Sequence, residues 1–412
     1  MALPENPRVV ALIVPRTLVK AAKTAVAEAG WWGRGRIEPL AGLGDDPAFT
    51  LPTTLPHAAD SADSADSALR ALGLTAYVGA IRVVSADAAP ARTNAPNALT
   101  AAITAFLRAH AAPSSIPALL ASAPRRWSLY PPLALLPANA FSIVPWPAFL
   151  SALSPAFLAR FHRSLAHALS ATHLAINAPI PSTSTLRLPH LTPLHGEFTT
   201  LWSTVTQNQI HQTWAPLHTM FSRGNITEKA RVLGFPDVRG AHIADLYAGI
   251  GYFAFSYVAA GAARVWCWEL SPWSVEALRR GAGMNGWGVV VVGAGEPVGE
   301  VADEVRLVVF CEDCAAAGER LRGRGKVRHV NLGLLPTSRG GWGTALEVVA
   351  DGGWVHVHEN VGEGEVDGCA GVVEEGLREL EGRGREVVAV GVERVKTFAP
   401  GVVHCVVDVR IG

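Results

Sequence analysis

Asp245-Leu246-Tyr247-Ala248-Gly249-Ile250-Gly251 lies between an extended apolar run, His242–Leu246, and a helix-patterned stretch, Tyr252–Ala260. A strand-to-helix turn carrying two glycines restricts the fold more than any other feature of the chain. Glycines 249 and 251 permit a tight turn and let backbone N–H groups approach a ligand closely. The helix that follows offers its positive end to that ligand. Asp245, a carboxylate at the strand's end, is placed to meet a ligand ammonium.

The next extended run, Arg264–Glu269, ends in an acid 18 residues after Gly251. In dinucleotide folds an acid about 20 residues beyond the glycine loop holds ribose hydroxyls. Ser271-Pro272 then supplies an N-cap and a first-turn proline for another helix. Loop and acid together predict a ribose-bearing ligand, S-adenosylmethionine in the first instance. NAD fits less well because its third fingerprint glycine falls on Ala254, although alanine is tolerated there. An unliganded tight turn is the remaining reading.

Around this motif extended runs recur: Val289–Val292, Val305–Phe310, Val327–Leu332, Trp354–His358, Glu386–Val395 and Val402–Ile411. Several are almost wholly apolar, as strands covered on both faces are. Helical pattern separates them at Ser274–Met284 and Ala315–Leu321. Strands alternating with helices predict a mostly parallel α/β sheet. The last two runs, joined by a short loop at Pro400-Gly401, predict an antiparallel hairpin at its end. This is the layout of a Rossmann-like class I S-adenosylmethionine-dependent methyltransferase domain. Gly281 and Gly283 in the helix after Glu269 predict that it is short or frayed, since glycine costs about 1 kcal/mol against alanine there.

The chain has 412 residues, enough for two domains, and its composition changes near the middle. The first half is rich in Ala, Pro, Ser and Thr, the second in Gly, Val, Glu and Arg. A smaller α+β domain over 1–190, preceding a ligand-binding domain over 191–412, is the expected division. Val9–Val14 reads as a strand, Thr17–Ala29 as a helix and Leu150–Leu169 as another. The Ala-Asp-Ser repeats near 55–70 read as a flexible, low-complexity insertion. Formal net charge is zero, so any nucleic-acid contact needs a local basic patch, such as Arg279-Arg280 or Arg320 to Arg328. No apolar run reaches the roughly 18–20 residues of a membrane span, and the start lacks a signal peptide's layout. The expectation is a cytoplasmic protein with no membrane and no obligate protein partner. Five scattered cysteines argue against a disulfide framework, and Cys311-Glu312-Asp313-Cys314 has no second pair to complete a zinc site. No metal is expected.

Phe221-Ser222-Arg223-Gly224-Asn225-Ile226-Thr227-Glu228-Lys229-Ala230-Arg231 stands just upstream of the glycine loop, and Asn331-Leu332-Gly333-Leu334-Leu335-Pro336-Thr337-Ser338 follows a later strand. With Gln209–Pro216, His356–Asn360 and Val395–Pro400, these segments strongly resemble the tRNA wybutosine-synthesising protein 2 family in its fungal form. The resemblance covers residues 190–412 clearly and the first half diffusely. It implies transfer of the 3-amino-3-carboxypropyl group of S-adenosylmethionine to C7 of 4-demethylwyosine at position 37 of tRNA(Phe), with methylthioadenosine released. It also implies that Ser222 and Lys229 contact S-adenosylmethionine, Glu269 its ribose, and Asp313 with Cys314 its adenine end. The acceptor base would be bordered by Asn331 to Ser338, with Asn331, Leu332 and Pro336 as candidates. One departure is Glu312-Asp313-Cys314, where the family usually has Gly-Asp-Asn.

The chemistry is consistent with that implication. All three carbons on a sulfonium sulfur are electrophilic, so orientation selects the group transferred, and rate follows from near-attack positioning. Lys229 or Arg223 near the methionine carboxylate would aim the carboxypropyl arm. The alternatives are guanine-37 N1-methylation on the same fold, or a non-catalytic tRNA-binding protein. Guanine-37 methyltransferases carry a short Asn-Leu-Pro where this chain has the longer Asn331-Leu-Gly-Leu-Leu-Pro336, which favours carboxypropyl transfer.

Overall fold

The computed structural model describes residues 97–178 and 189–412. Before these it describes 8–15, 18–28, 38–40, 48–56 and 81–87, with 67, 69, 70 and 74. Most of the Ala-Asp-Ser repeat lies outside the described residues. The chain forms two compact units, Met1–Pro96 and Asn97–Gly412. They part well before the compositional change near 190, so by its contacts the stretch after 97 belongs with the second unit.

In the first unit an antiparallel sheet runs in the order Glu38–Leu40, Ala48–Pro56, Arg8–Pro15, Arg82–Asp87. Helix Val19–Glu28 sets Ala22 and Val26 against Leu12, Val14 and Leu51. The strand and helix expected here both form.

The second unit opens with a four-stranded sheet, Ser128–Tyr130, Leu133–Leu136, His173–Ala178 and His190–His195 in that order. Its core centres on Trp146, Phe161 and Leu165, all fully buried. The single helix expected over Leu150–Leu169 is two, Trp146–Ala152 and Pro155–Ala168. Pro155 cannot donate to the turn before it, and Ser154 caps the new start through Phe157 N. His162 on the second of these helices is buried, and its Nδ1 lies 3.2 Å from the Leu194 carbonyl.

A two-stranded hairpin, Ser203–Gln207 with Ile210–Trp214, comes next, followed by an eight-stranded sheet. Its strands are β1 (His242–Asp245), β2 (Arg264–Trp268), β3 (Gly288–Gly293), β4 (Val305–Cys311), β5 (Val327–Leu332), β6 (Val349–Gly362), β7 (Val387–Ala399) and β8 (Val402–Ile411). Their order is β3-β4-β2-β1-β5-β6-β8-β7. The first six are parallel, and β8 is antiparallel to both β6 and β7. The expected α/β class and terminal hairpin are both present. β4 reads as an apolar run because Leu307 to Phe310 are all fully buried, with alternate residues serving the cores on the two faces. Chain order reverses about β1, so the carboxyl ends of β1 and β5 form a topological switch point, where ligands bind in open α/β sheets.

Three helices matter for that point: α1 (Ile226–Val232), α2 (Ala254–Ala259) and α3 (Pro272–Met284). α3 runs its full length despite its glycines. A Cβ on Gly281 would stand 2.7 Å from the Phe255 ring, so this glycine lets α3 pack closely on α2. Asn285 closes the helix, donating to both Gly281 O and His211 O at 2.8 Å. No helix among the described residues is long and apolar enough to cross a membrane.

Candidate functional site

The glycine turn is built as its sequence demands. Gly249 and Gly251 have φ of 54° and 88°. A Cβ on Gly251 would meet the Phe255 ring at 2.7 Å. Asp245 is fully buried under the turn, where its Oδ1 accepts from Asn331 Nδ2 at 3.0 Å. Burial pushes its carboxyl up to about 6, against the opposing effect of the Asn331 amide and the Tyr247 and Ala254 N–H groups. Asp245 thus braces the loop from beneath, and Asn331 braces Asp245; neither lines the cavity above.

That cavity, of about 260 Å³, opens at the carboxyl ends of β1, β2, β4 and β5. Glu269 lines it. Its Oε2 accepts from Gly249 N at 2.9 Å and its Oε1 from Ser271 N at 2.8 Å. These bonds fix the carboxylate yet leave lone pairs for a ligand's hydroxyls. Burial raises its pKa, and the backbone N–H groups work against that shift. Asp313 and Cys314 line the wall beyond β4, with Asp313 Oδ1 accepting from Ala315 N at 2.8 Å. Burial pushes the Cys314 thiol up, so this residue is a neutral part of the wall.

Ser222 lines the other end, and its N–H donates to Tyr252 Oη at 3.2 Å. Lys229 does not line the cavity. It is buried beneath, donating to Gln207 Oε1 at 3.0 Å and Gln212 Oε1 at 2.5 Å. Gln212 Nε2 in turn donates to the Gly251 carbonyl at 3.3 Å, which makes Lys229 a support of the glycine loop. Burial, with the charge of Lys396, brings the Lys229 amine down to about 7. Of the acceptor-side candidates, Leu332 is fully buried, and neither it nor Pro336 lines the cavity; Gly333, Leu334 and Leu335 between them do.

Sequence reasoning missed Lys396 as a lining residue. It comes from β7, where its Nζ donates to Ser222 Oγ at 2.9 Å and Asn225 Oδ1 at 2.7 Å. Register shifts fall at Arg394/Lys396 and Thr397/Ala399, and such bulges re-aim side chains. Spacing gives no sign of a bulge, although Val395–Pro400 carries part of the family resemblance. Phe398 enters the same wall.

Behind α1 lies a buried polar chain. His329 Nε2 is 2.9 Å from the Pro236 carbonyl and its Nδ1 is 3.0 Å from His356 Nε2, while His356 Nδ1 is 2.7 Å from Asp408 Oδ1. A carbonyl only accepts, so His329 carries hydrogen on Nε2 and accepts at Nδ1. Arg231 completes the chain, joining Asp408 Oδ2 at 2.5 Å and Glu228 Oε1 at 2.8 Å.

No family model matches the chain. It is 42% identical over 306 residues to the tRNA wybutosine-synthesizing protein 2 of Schizosaccharomyces pombe, a match covering 70% of this chain and 72% of that protein. It is 37% identical over 285 residues to the Saccharomyces cerevisiae protein of that name, covering 58% of this chain and 60% of that one. Among solved structures, P. horikoshii TYW2 in complex with MeSAdo aligns with a TM-score of 0.54 at 20% identity, over 76% of this chain and 98% of that one. Trm5b from Pyrococcus abyssi aligns with a TM-score of 0.52 at 16% identity, over 98% and 99%. Those two likenesses support the fold alone. Identity at the level of the fungal proteins, over most of both chains, goes further: this chain belongs to the tRNA wybutosine-synthesizing protein 2 family.

Proposed function

We propose that the protein transfers the 3-amino-3-carboxypropyl group of S-adenosylmethionine to C7 of 4-demethylwyosine at position 37 of tRNA(Phe). The observation that carries the reading is the pairing of the switch-point cavity with membership of this family. The cavity's residues suit the donor. Glu269 would take the ribose hydroxyls, and Asp313 with Cys314 would border the adenine. Ser222 would meet the methionine end. Asp245, Gly249, Gly251 and Lys229 would shape and support the loop that holds it.

The sulfonium supplies an electrophilic carbon and a good leaving group, so the chemistry needs no metal. In the transfer the C7–carbon bond forms and the carbon–sulfur bond breaks. Sulfur keeps the electron pair as methylthioadenosine, and the C7 proton leaves to a base. The protein's part is to aim one of three reactive carbons. Lys396, lining the cavity beside Ser222, is a cation suited to a carboxylate on the carboxypropyl arm. Asn331, Leu332 and Pro336 would shape the acceptor side through Gly333–Leu335, the residues they flank. Residues 1–190 would help recognise tRNA, and the protein would work in the cytoplasm.

The test uses tRNA(Phe) carrying the tricyclic precursor, with donor labelled separately in the methyl and carboxyl carbons. Carboxyl label in tRNA with methylthioadenosine released is expected. Methyl label in tRNA points to guanine-37-type methylation, and no transfer of either label leaves a binding protein. Glu269→Ala should weaken donor binding by about 1–3 kcal/mol, the worth of charge-assisted hydrogen bonds. Calorimetry showing unchanged affinity removes Glu269 from the ribose.

A further inference from the structure

The loop after β5 is held between two supports. At its near end the Asn331 amide bonds to the buried Asp245, and the Asn331 carbonyl accepts from Leu246 N at 3.0 Å. Gly333–Leu335, which belong to no helix or strand, then line the donor cavity. The far end is tied to β6. Thr337 Oγ1 donates to Glu359 Oε1 at 2.7 Å, and Ser338 N donates to the same oxygen at 3.3 Å. Asn360 N donates to the Pro336 carbonyl at 2.9 Å, and Ser338 Oγ to the His358 carbonyl at 3.4 Å.

Glu359 is the member of this tie that packing does not explain. Glutamate is almost never buried without a partner, yet Glu359 is only 8% exposed, on a strand where Val355 and Val357 are fully buried. An apolar side chain would fill such a place at lower cost, because burying a carboxylate is expensive. Burial raises its carboxyl, while the bonds from Thr337 and Ser338 and the charge of Arg339 work against that shift. Among the described residues its carboxylate makes hydrogen bonds to the loop alone. What the acid supplies, and a valine could not, is a grip on residues 337 and 338.

We propose that Glu359 is a positioning residue for the transfer: its carboxylate fixes the far end of the loop, so that Gly333–Leu335 present the acceptor to the donor in one geometry. The assignment rests on the reading of Gly333–Leu335 as the acceptor side of an RNA-modifying transferase. Glu359 does not line the donor cavity, so it acts through the loop and not on the donor. A loop held at one end only has room to move, and a misplacement of about 1 Å costs a transfer about a hundredfold.

The test uses the full-length chain in single turnover, with precursor tRNA(Phe) and carboxyl-labelled donor both saturating. Glu359→Ala should lower the transfer rate about ten- to a hundredfold, while donor affinity by calorimetry stays within about twofold. Glu359→Gln keeps an oxygen able to accept both bonds and should restore the rate to within about threefold of wild type. Thr337→Val removes one of the two bonds at an exposed position, so its chain folds, and its rate should fall between the other two. Amide exchange should quicken at Gly333–Leu335 in Glu359→Ala and stay unchanged at Gly249–Gly251. The proposal falls if Glu359→Ala and Thr337→Val both transfer at the wild-type rate, if donor affinity drops in step with the rate, or if Glu359→Gln is as slow as Glu359→Ala. Should Glu359→Ala not fold, Thr337→Val decides alone. Failure of the parent reading looks different: the wild-type chain then transfers no carboxyl label, while the exchange contrast still shows whether Glu359 holds the loop.

Discussion

Asp408→Asn is expected to lower stability by about 3–5 kcal/mol, the cost of removing one partner from a buried ion pair. The carboxylate bonds to His356 at 2.7 Å and to both terminal nitrogens of Arg231, at 2.5 and 3.1 Å. An amide would leave Arg231 with Glu228 as its carboxylate partner and take the carboxylate away from His356. Asp237→Asn is the control, because its bond to Arg328 is half exposed and screened by water, so its midpoint should barely move. The measurement is the denaturant midpoint of each variant. Equal midpoints would mean the buried chain adds nothing.

Acid should act on the same network. Burial alone would raise the Asp408 carboxyl, but its bonds to His356 and Arg231 hold it well below the ordinary range. Its contribution is therefore complete above about pH 4 and is lost as pH falls further. Burial, aided by neighbouring charges, pushes His329 and His404 down to about 3 and His358 well below its usual value. Below about pH 6.5 the unfolded chain takes protons that these rings refuse, so stability falls with acid from there downward. Asp245, raised to about 6, opposes this between roughly pH 4 and 6, as do Glu269 and Glu359, which burial also raises, while burial lowers His162, His195 and His242 as well. A melting temperature that rises on acidification from pH 6.5 to 5 would contradict the assignment of neutral, buried histidines.

Gly251→Val carries the second large effect. A side chain at φ of 88° is strained by about 1–2 kcal/mol. Its Cβ would also be 2.7 Å from Phe255, and relieving such overpacking costs about 1–3 kcal/mol. The expected loss is about 2–5 kcal/mol in stability. Donor affinity should fall at least about tenfold, because the loop above Asp245 cannot keep its shape. Gly283→Ala is the counterpart: nothing lies within 4 Å of its Cβ, and a helical glycine replaced by alanine should gain about 0.4–1 kcal/mol. Titration calorimetry with S-adenosylmethionine and urea unfolding measure both, and full donor affinity in Gly251→Val would refute the account.

The class I sheet was readable because its central strands are buried on both faces. β4 appears in sequence as an apolar run, and the glycine turn advertises itself by composition. The boundary of the first unit was not readable, since contacts rather than composition place residues 97–190 with the class I sheet. At the site, Glu269 and Gly249 line the cavity from the strand end and turn where spacing put them, and Ser222, Asp313 and Cys314, which only the family resemblance implied, line it too. Lys229 and Asn331 lie one layer deeper than expected, and spacing along a chain does not distinguish a ligand contact from its support. Lys396 stayed hidden because a bulge directs it. The helix over Leu150–Leu169 was misjudged by weighing periodicity above Ser154-Pro155.

The β7–β8 hairpin also bears on how such a chain is made. Arg231 and Asp408 are 177 residues apart in sequence, and Ser222 and Lys396 are 174 apart. During synthesis α1 leaves the ribosome long before the partners that neutralise Arg231 and border Ser222. Contacts of such long range form late, after loop closure has been met by other gains. A nascent chain ending after β6 would hold most of the sheet but a donor cavity without its lysine. Binding competence should therefore appear only once β8 has been translated, which keeps incomplete chains from sequestering donor or tRNA.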